Sequence, residues 1–204
     1  MMRYDIIRHL IEKRGYKSYL EIGVLGNETY NSLPTLDVKH SVDPNGQAVF
    51  NMTSDEFFAS YCKHSYDIIF IDGLHLSEQV TKDIENSLTH LNDGAIIVVH
   101  DCLPNHEWEQ LRVGLSGKPW TGDVWKAFAE IRHTHVALKM CVVDTDYGCG
   151  LIESPGELFT DSEWASRFHS RVLKPGPEWT WEFFQANRKA LMNVITVEEF
   201  LGRW

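Results

Sequence analysis

Four short runs with the pattern of β-strands, each closed by an acidic residue or a glycine, constrain the fold of this chain most strongly. They are Tyr19–Gly23, Lys39–Asp43, Asp67–Asp72 and Ala95–Asp101. Continuous apolar runs of this length suit strands that are buried on both faces. The segment Ser77–Leu91, between the third and fourth runs, repeats apolar residues at helical spacing. Because strand, helix and strand follow one another, the sequence predicts a parallel sheet with right-handed crossovers.

Further strands and helices are predicted outside these runs. Val136–Val143 and Tyr147–Ile152 have the pattern of an antiparallel hairpin at a sheet edge, in which Tyr147–Ile152 inserts between the last two neighbours. With Phe50–Met52 as a short third strand, the predicted fold class is α/β: a Rossmann-like, doubly wound, seven-stranded and mostly parallel sheet with an antiparallel edge hairpin. Helices are predicted over Tyr4–Arg14, Ser54–Tyr61, Val124–Arg132, Asp161–Arg171 and Trp181–Asn193.

The composition narrows the classes of partner. The chain has 204 residues, and 19 lysines and arginines against 29 aspartates and glutamates give a formal charge of -10. No window concentrates enough basic residues for a phosphate-binding stripe, so we expect no nucleic-acid partner. The apolar runs are too short to span a bilayer, and Met1–Lys13 is charged throughout, unlike a signal peptide. We therefore expect a cytoplasmic protein with no membrane partner, whose four cysteines are reduced and buried.

The ends of the predicted strands hold the residues that suit ligand binding. In an open α/β sheet, ligands bind beyond the carboxyl ends of the strands. After the first strand, Gly23 allows close backbone approach, and Asn27 can adopt the left-handed conformation that glycine usually takes. Asp43 follows Glu21 by twenty-two residues, a spacing at which a carboxylate can accept both ribose hydroxyls. Taken singly, the glycines could form a plain tight turn and Asp43 could be a solvated loop residue, but together they indicate a nucleoside-containing cofactor.

Four motifs in this order resemble a known family. They are Tyr19–Gly23, Ser41–Pro44, Phe70–His75 and Gly94–Asp101, and they resemble the class I S-adenosylmethionine-dependent methyltransferases. The resemblance is closest to a small subgroup whose fourth strand ends in Ile-Asp-Gly-x-His and whose fifth ends in His-Asp. It covers residues 4–152, and the motifs in order are far more specific than any one alone.

The resemblance implies a cofactor and the residues that bind it. The cofactor is S-adenosylmethionine, and its product is S-adenosylhomocysteine. The resemblance implies that Glu21 and Gly23 shape the methionine pocket and that Asp43 holds the ribose. Asn27 stands where the family usually has a second glycine, so we predict a positive φ there. The full set of implied cofactor-binding residues is Glu21, Gly23, Asn27, Asp43, Thr53 and Ser54 near the adenine, and Asp72 and Gly73 facing the methionine moiety.

His75, His100 and Asp101 are the candidate catalytic residues. His75 follows the third long apolar run and the other two end the fourth, so their side chains could meet at one opening. Imidazole suits removal of a hydroxyl proton near neutral pH, and a sulfonium leaving group departs neutral without an acid. In a regular strand, His100 and Asp101 would point to opposite faces. Each histidine could instead be a core residue bonded to a backbone carbonyl.

A metal site at the same strand ends is an alternative that we do not expect. Asp72, His75 and Asp101 could together bind a divalent ion such as magnesium that orients a diol, as in catechol-type relatives in this broad family. Only two of the three residues are carboxylates, which makes this version weaker.

We therefore predict a methyltransferase that acts on an oxygen of a small-molecule acceptor, for which similar sequences suggest saccharide or polyketide-like compounds. A non-catalytic module that binds adenosylmethionine or adenosylhomocysteine is the alternative, and a nicotinamide-dependent oxidoreductase would need a G-x-G-x-x-G run that the chain lacks. We assign residues 1–152 to the cofactor-binding domain and residues 153–204 to an aromatic-rich helical extension packed on it. That extension could be a lid, plain core or the contact of a homodimer.

Overall fold

The computed structural model describes residues 1–135, 137–153 and 179–204. Within them, seven strands form one sheet in the order β2-β1-β3-β4-β6-β5-β7. The predicted fold class is confirmed. The strands are β1 (Ser18–Ile22), β2 (Val38–Val42), β3 (Tyr66–Ile71), β4 (Leu91–Val99), β5 (Lys139–Val143), β6 (Cys149–Glu153) and β7 (Val194–Ile195).

The directions of the strands explain where a ligand can bind. Strands β2, β1, β3 and β4 are parallel, so their carboxyl ends share one edge of the sheet. From β1 the chain moves first outward to β2 and then back across to β3, so the strand order reverses beside β1. Strand β6 lies antiparallel between β4 and β5, as the sequence predicts for the second half of the hairpin.

Helices cover both faces of the sheet, because the strands present apolar side chains on both faces. One buried layer joins Ile69 and Ile97 of the sheet to Ile84, Phe128 and Phe184 of the helices. The other layer joins Ile68 and Val98 to helical residues that include Leu10 and Phe200. The helices are α1 (Arg3–Arg14), α2 (Glu28–Ser32), α3 (Ser54–Glu56), α4 (Ser77–Leu88), α5 (Val124–Thr134), α6 (Trp181–Met192) and α7 (Val197–Arg203).

Two predictions about the sheet are wrong. Phe50–Met52 is not a strand, because only Phe50 pairs, through one isolated parallel bridge to Val42. The seventh strand is instead β7, which pairs in parallel with β5 and places β5 inside the sheet rather than at its edge. The sheet therefore does not end near Ile152.

The helix predicted over Ser77–Leu91 ends earlier. Leu91 already belongs to β4, where it pairs with Tyr66 ahead of a register shift, so α4 ends at Leu88. Gly94 lies inside β4 with a φ of 70°. The irregular pairing and this left-handed glycine are typical of a β-bulge. The bulge allows the polar residues Asn92 and Asp93 to lie in β4 directly after Leu91.

The described part of the C-terminal extension packs as core. Phe184 of α6 lies against Trp125, with 4.5 Å between the ring centroids, and Phe200 of α7 packs edge-on against His9. None of residues 179–204 lines the cavity of about 760 Å³ that opens at the carboxyl edge of the parallel strands. Of the three roles considered, these residues therefore fit core. The predicted helix Asp161–Arg171 lies outside the described residues.

The structure also bears on the expectations about the cysteines and about membrane-spanning helices. All four cysteines are free, and Cys102, Cys141 and Cys149 are buried. Among the described residues, no helix combines the length and the apolar character needed to cross a bilayer.

Adjacent residues of α7 give a direct test of the C-terminal core. The Phe200 side chain is 0% exposed, whereas Leu201 is 43% exposed. We expect Phe200→Ala to lower the free energy of unfolding by about 3–5 kcal/mol, because the buried ring leaves a cavity. Leu201→Ala should change it by less than about 1 kcal/mol. Urea unfolding of both variants measures this, and equal losses would mean that α7 is not packed as described.

Candidate active site

One cavity of about 760 Å³ opens at the carboxyl edge of β1 to β4. Its size lies within the range of roughly 300–1,000 Å³ that is usual for small-molecule sites. The structure brings every predicted site residue except Asn27 into its wall. These lining residues are Glu21, Gly23, Asp43, Thr53, Ser54, Asp72, Gly73, His75, His100 and Asp101.

Gly23 allows the ends of β1 and β3 to lie close together. Its φ is +88°, and a Cβ atom at this position would lie 2.2 Å from the backbone oxygen of Asp72. Its N–H donates to the carbonyl of Val42 at 2.9 Å, which also holds it to β2. Only glycine combines this conformation with this contact, so three strand ends can meet at the cavity floor.

Asn27 adopts the predicted left-handed conformation without lining the cavity. Its φ is 56°, and the preceding Gly26 has a φ of 72°. These two left-handed residues turn the chain from β1 into α2. The positive φ predicted for Asn27 is confirmed, and its contribution to the site is the shape of this loop.

Asp43 stands at the end of β2 in a fixed orientation. Its Oδ2 accepts from the N–H of Val24 at 3.0 Å, and its Oδ1 accepts from the N–H of Asn45 at 2.7 Å. An ionised carboxylate offers about four lone-pair positions. Two of them therefore remain for hydroxyl groups of a ligand in the cavity.

Thr53 and Ser54 enter the cavity wall at the start of α3. Thr53 caps this helix, because its Oγ1 accepts from the N–H of Glu56. The Ser54 hydroxyl accepts instead from Gln79 of α4 at 3.2 Å. This contact ties the loop after β2 to α4 across the cavity wall.

Glu21 is a buried carboxyl in the cavity floor. Burial raises its pKa to about 7 because the charged form loses hydration, and the nearby Asp72 raises it further. The Tyr19 hydroxyl donates to Glu21 and partly offsets this effect. Near neutral pH, Glu21 is therefore about half protonated and sensitive to any charge that enters the cavity.

A dense cluster of charged side chains lies beyond β3 and β4. His100 Nδ1 lies 3.2 Å from both Asp72 Oδ1 and Asp101 Oδ1. His75 Nδ1 lies 3.3 Å from Asp101 Oδ2, and its Nε2 lies 3.4 Å from Asp72 Oδ1. Two unpredicted residues complete the group. We call it the carboxylate cluster, and its members are Asp72, Asp101, Asp146, His75, His100 and Arg3.

The prediction that His100 and Asp101 point to opposite faces is wrong. Strand β4 ends at Val99, so the alternation of a regular strand does not extend to these residues. Asp101 then has a φ of 61°, which turns the chain back. Both side chains consequently enter the carboxylate cluster, where they contact each other.

Comparisons with known proteins agree with this architecture. A family model described as a methyltransferase domain matches residues 20–102. A crystal structure of cofactor-bound Rv0187 from MTB aligns with a TM-score of 0.55 and 16% identity, covering 74% of this chain and 79% of that one. The chain has the class I methyltransferase fold.

Two further methyltransferase structures align over the same share of this chain. An O-methyltransferase from Bacillus cereus in complex with SAH has a TM-score of 0.52 at 17% identity, over 74% of this chain and 79% of that chain. The SAH-bound methyltransferase PaMTH1 of Podospora anserina has a TM-score of 0.53 at 14% identity, over 74% and 76%. No curated protein sequence matches the chain.

Within this methyltransferase fold, the two histidines differ in access. The His100 side chain is only 5% exposed, and its Nε2 lies 3.5 Å from Asp146 Oδ2, so carboxylates face both ring nitrogens. Burial alone would lower its pKa, but Asp72 and Asp101 outweigh burial and raise the pKa well above the usual value. The His75 side chain is 18% exposed and lies against the Trp120 ring, with 4.9 Å between the ring centroids. His75 is therefore the better placed of the two to meet an acceptor.

A divalent metal fits the distances of this site but not its charges. Ligand atoms of Asp72, His75 and Asp101 lie within 4.8 Å of one another. Asp72, however, already contacts His100 and His75, and its Oδ2 lies 3.7 Å from Arg3 Nε. These contacts keep the pKa of Asp72 far below its usual range despite burial. A bound metal would have to displace cations that the chain itself supplies.

Arg3 and Asp146 are functional candidates that the sequence analysis missed. Arg3 begins a helix whose pattern indicates only packing, and Asp146 lies in the turn of the predicted hairpin. Both line the cavity. The one signal for Asp146 is the polar Asp144-Thr145-Asp146 turn, and such turns are common without any ligand.

Proposed function

We propose that this protein is an S-adenosylmethionine-dependent methyltransferase that methylates an oxygen of a small-molecule acceptor. The observation that carries the proposal is one cavity that contains a fixed carboxylate, Asp43, and a partly exposed imidazole, His75. The first suits a nucleoside ribose and the second suits a hydroxyl group that loses its proton. The SAH bound to the Bacillus cereus and Podospora anserina structures supports this assignment.

The lining residues suit each part of the cofactor. Asp43 would accept the ribose hydroxyls with the lone pairs that Val24 and Asn45 leave free. Gly23 and Gly73 would let the methionine part approach the backbone, and Glu21 would face its positive charge. Bound S-adenosylmethionine supplies an electrophilic methyl group on a sulfonium. Thr53 and Ser54 would lie near the adenine.

His75 would remove the proton of the acceptor hydroxyl. Its Nδ1 lies 3.2 Å from the backbone oxygen of Trp120 and 3.3 Å from Asp101 Oδ2, so these two oxygens can hold the ring with Nδ1–H donating. Nε2, which faces Asp72 Oδ1 at 3.4 Å, would then accept the proton, and the Asp72 carboxylate would stabilise the imidazolium that forms. The sulfonium leaves as a neutral thioether, so no general acid is needed.

The charge of the cavity favours an uncharged or cationic acceptor. Arg3 is the only lysine or arginine in its wall, among the residues that the structure describes. An acceptor that carries phosphate or carboxylate would therefore meet a repulsive field, whereas a neutral polyol or saccharide-like compound would not. The lining carboxyls are Glu21, Glu28, Asp43, Asp55, Asp72, Asp83, Asp101 and Asp146.

A thermal-shift screen of nucleoside cofactors tests the proposal. S-adenosylmethionine and S-adenosylhomocysteine should raise the melting temperature by mass action, and NADH should not. A shift with NADH alone would overturn the proposal. A shift with S-adenosylhomocysteine but no methyl transfer to any acceptor in a broad screen would favour a non-catalytic binding module.

The raised pKa of Glu21 predicts that cofactor binding depends on pH. Below its pKa of about 7, Glu21 is mostly protonated, and a positively charged ligand must displace that proton. Cofactor affinity should therefore increase about tenfold between pH 6 and pH 8. For the same reason, this group makes the free protein less stable as pH rises from 4.5 to 7.

Calorimetry in buffers of different ionisation enthalpy measures the proton released. Glu21→Gln, which keeps the shape of the side chain but cannot ionise, should abolish both the release and the rise in affinity. Unchanged proton release in Glu21→Gln would show that another group titrates.

A further inference from the structure

Arg3 carries a permanent positive charge into the carboxylate cluster from a part of the chain outside the cofactor motifs. Helix α1 precedes β1, yet its first residue lines the cavity beyond β3 and β4. We propose that Arg3 is a positioning residue that acts as the resident cation of the carboxylate cluster and takes the place of a divalent metal there. The inference deepens the proposed function, because His75 belongs to the same cluster.

The contacts of Arg3 join both sides of the cluster. Its backbone N–H and its Nη1 both donate to Asp146 Oδ2, at 2.9 and 3.1 Å. Its Nε faces Asp72 Oδ2 at 3.7 Å, and its Nη1 lies 3.3 Å from His100 Nε2. One guanidinium therefore spans Asp146 of the hairpin turn and Asp72 at the end of β3.

A buried donor of Arg3 has no partner inside the site. Its Nε is buried and has no hydrogen-bond partner, because the 3.7 Å to Asp72 is too long for a hydrogen bond. A buried unpaired donor is unfavourable unless another state of the site satisfies it. A small movement of the Asp72 carboxylate when ligand binds would complete this bond and fix Asp72 beside His75.

The hairpin turn adopts a costly conformation that presents Asp146 to Arg3. Asp146, Tyr147 and Gly148 have φ values of 46°, 59° and 89°, so three successive residues are left-handed. Two of them are not glycine, and such residues persist only where the surrounding structure holds them. The Asp146 side chain is 6% exposed and faces both Arg3 and His100.

The charge of Arg3 explains why the cluster does not need a metal ion. A guanidinium is always protonated in proteins, so its charge does not depend on solution conditions. A divalent ion at Asp72, His75 and Asp101 would sit beside that charge and compete for Asp72. Such like-charge proximity is strongly unfavourable. Removing Arg3 should therefore open the cluster to a metal.

Manganese binding to the purified protein, followed by electron paramagnetic resonance, tests this inference. Arg3→Met should bind Mn²⁺ at least about tenfold more tightly than the unaltered protein. Arg3→Lys restores a cation and should return Mn²⁺ binding to the original level. Arg14→Met is the matched control, because Arg14 lies on the same helix and pairs with Glu153, outside the cavity. If Arg3→Met does not fold, Arg3→Gln serves in its place.

Mn²⁺ binding to the unaltered protein as tight as to Arg3→Met would overturn the proposal. So would equal gains in Arg14→Met. Calorimetry with S-adenosylhomocysteine on the same samples separates the two claims. If the unaltered protein does not bind S-adenosylhomocysteine, the proposed function is rejected. The Mn²⁺ result tests only the role of Arg3.

Discussion

Replacing His75 by glutamine is expected to lower methyl transfer by about 10²–10⁴-fold, the usual contribution of a general base. Glutamine can donate to Asp72 or Trp120 but cannot take up the proton of an acceptor hydroxyl. The affinity for S-adenosylhomocysteine should stay within about threefold, because the cofactor needs no proton transfer. Transfer of a labelled methyl group to the first acceptor found in a screen of neutral hydroxylated compounds measures the loss.

The pH profile separates a base from a structural histidine. Burial lowers the pKa of His75, but Asp72 and Asp101 outweigh this effect and raise it above 6.5. Below that pKa the ring is protonated and inactive, so activity should rise with pH through it. At saturating cofactor, where the pH dependence of binding that Glu21 causes no longer affects the rate, this rise should disappear in His75→Gln. His106→Gln, which alters an exposed histidine outside the cavity, should leave the rate and the pH profile unchanged. A loss of rate in His106→Gln similar to that in His75→Gln would contradict the assignment of His75 as the base.

Replacing Gly23 by alanine is expected to abolish cofactor binding and destabilise the protein by about 2–5 kcal/mol. The new Cβ would lie 2.2 Å from the Asp72 backbone oxygen and 2.5 Å from Gly73 Cα, so β1 and β3 would have to separate. Overpacking of this kind costs about 1–3 kcal/mol, and a left-handed alanine adds about 1–2 kcal/mol. Both strand ends belong to the cavity floor, so affinity should fall with stability.

Gly15→Ala is the control for the free-energy cost of placing alanine in a left-handed backbone conformation. Gly15 has a φ of +68°, and its added Cβ would meet no atom within 4 Å. It should cost about 1–2 kcal/mol and leave cofactor affinity unchanged. Urea unfolding and calorimetry on both variants decide the matter, and Gly23→Ala protein that binds S-adenosylhomocysteine normally would contradict the described floor.

The predictable part of this site is local in sequence. Asp43 and Asp72 directly follow predicted strands, and parallel strands bring such ends to one edge whatever the loops between them do. For the same reason Gly23 and His75 lie in the wall of one cavity. Such short-range patterns predict position well, because the place of each residue is set by the strand that directly precedes it.

The unpredicted part depends on long-range contacts and on local backbone geometry. Arg3 meets Asp146 across 143 positions of sequence, a pairing that no periodicity reveals. Asp101 is left-handed although it is not a glycine, which reversed the expected direction of its side chain. Strand β7 has only two residues and follows a helix, so its pattern is too short to distinguish from a turn.

Calorimetric titration with S-adenosylhomocysteine, on the unaltered protein and on Asp43→Ala, tests the central claim most directly. We expect a saturable binding heat for the unaltered protein. Asp43→Ala should weaken it by about 1.5–3 kcal/mol, the usual loss of hydrogen bonds to a charged group, or roughly 10–150-fold in affinity. NADH should give no heat. Tight NADH binding without any signal from S-adenosylhomocysteine would contradict the assignment.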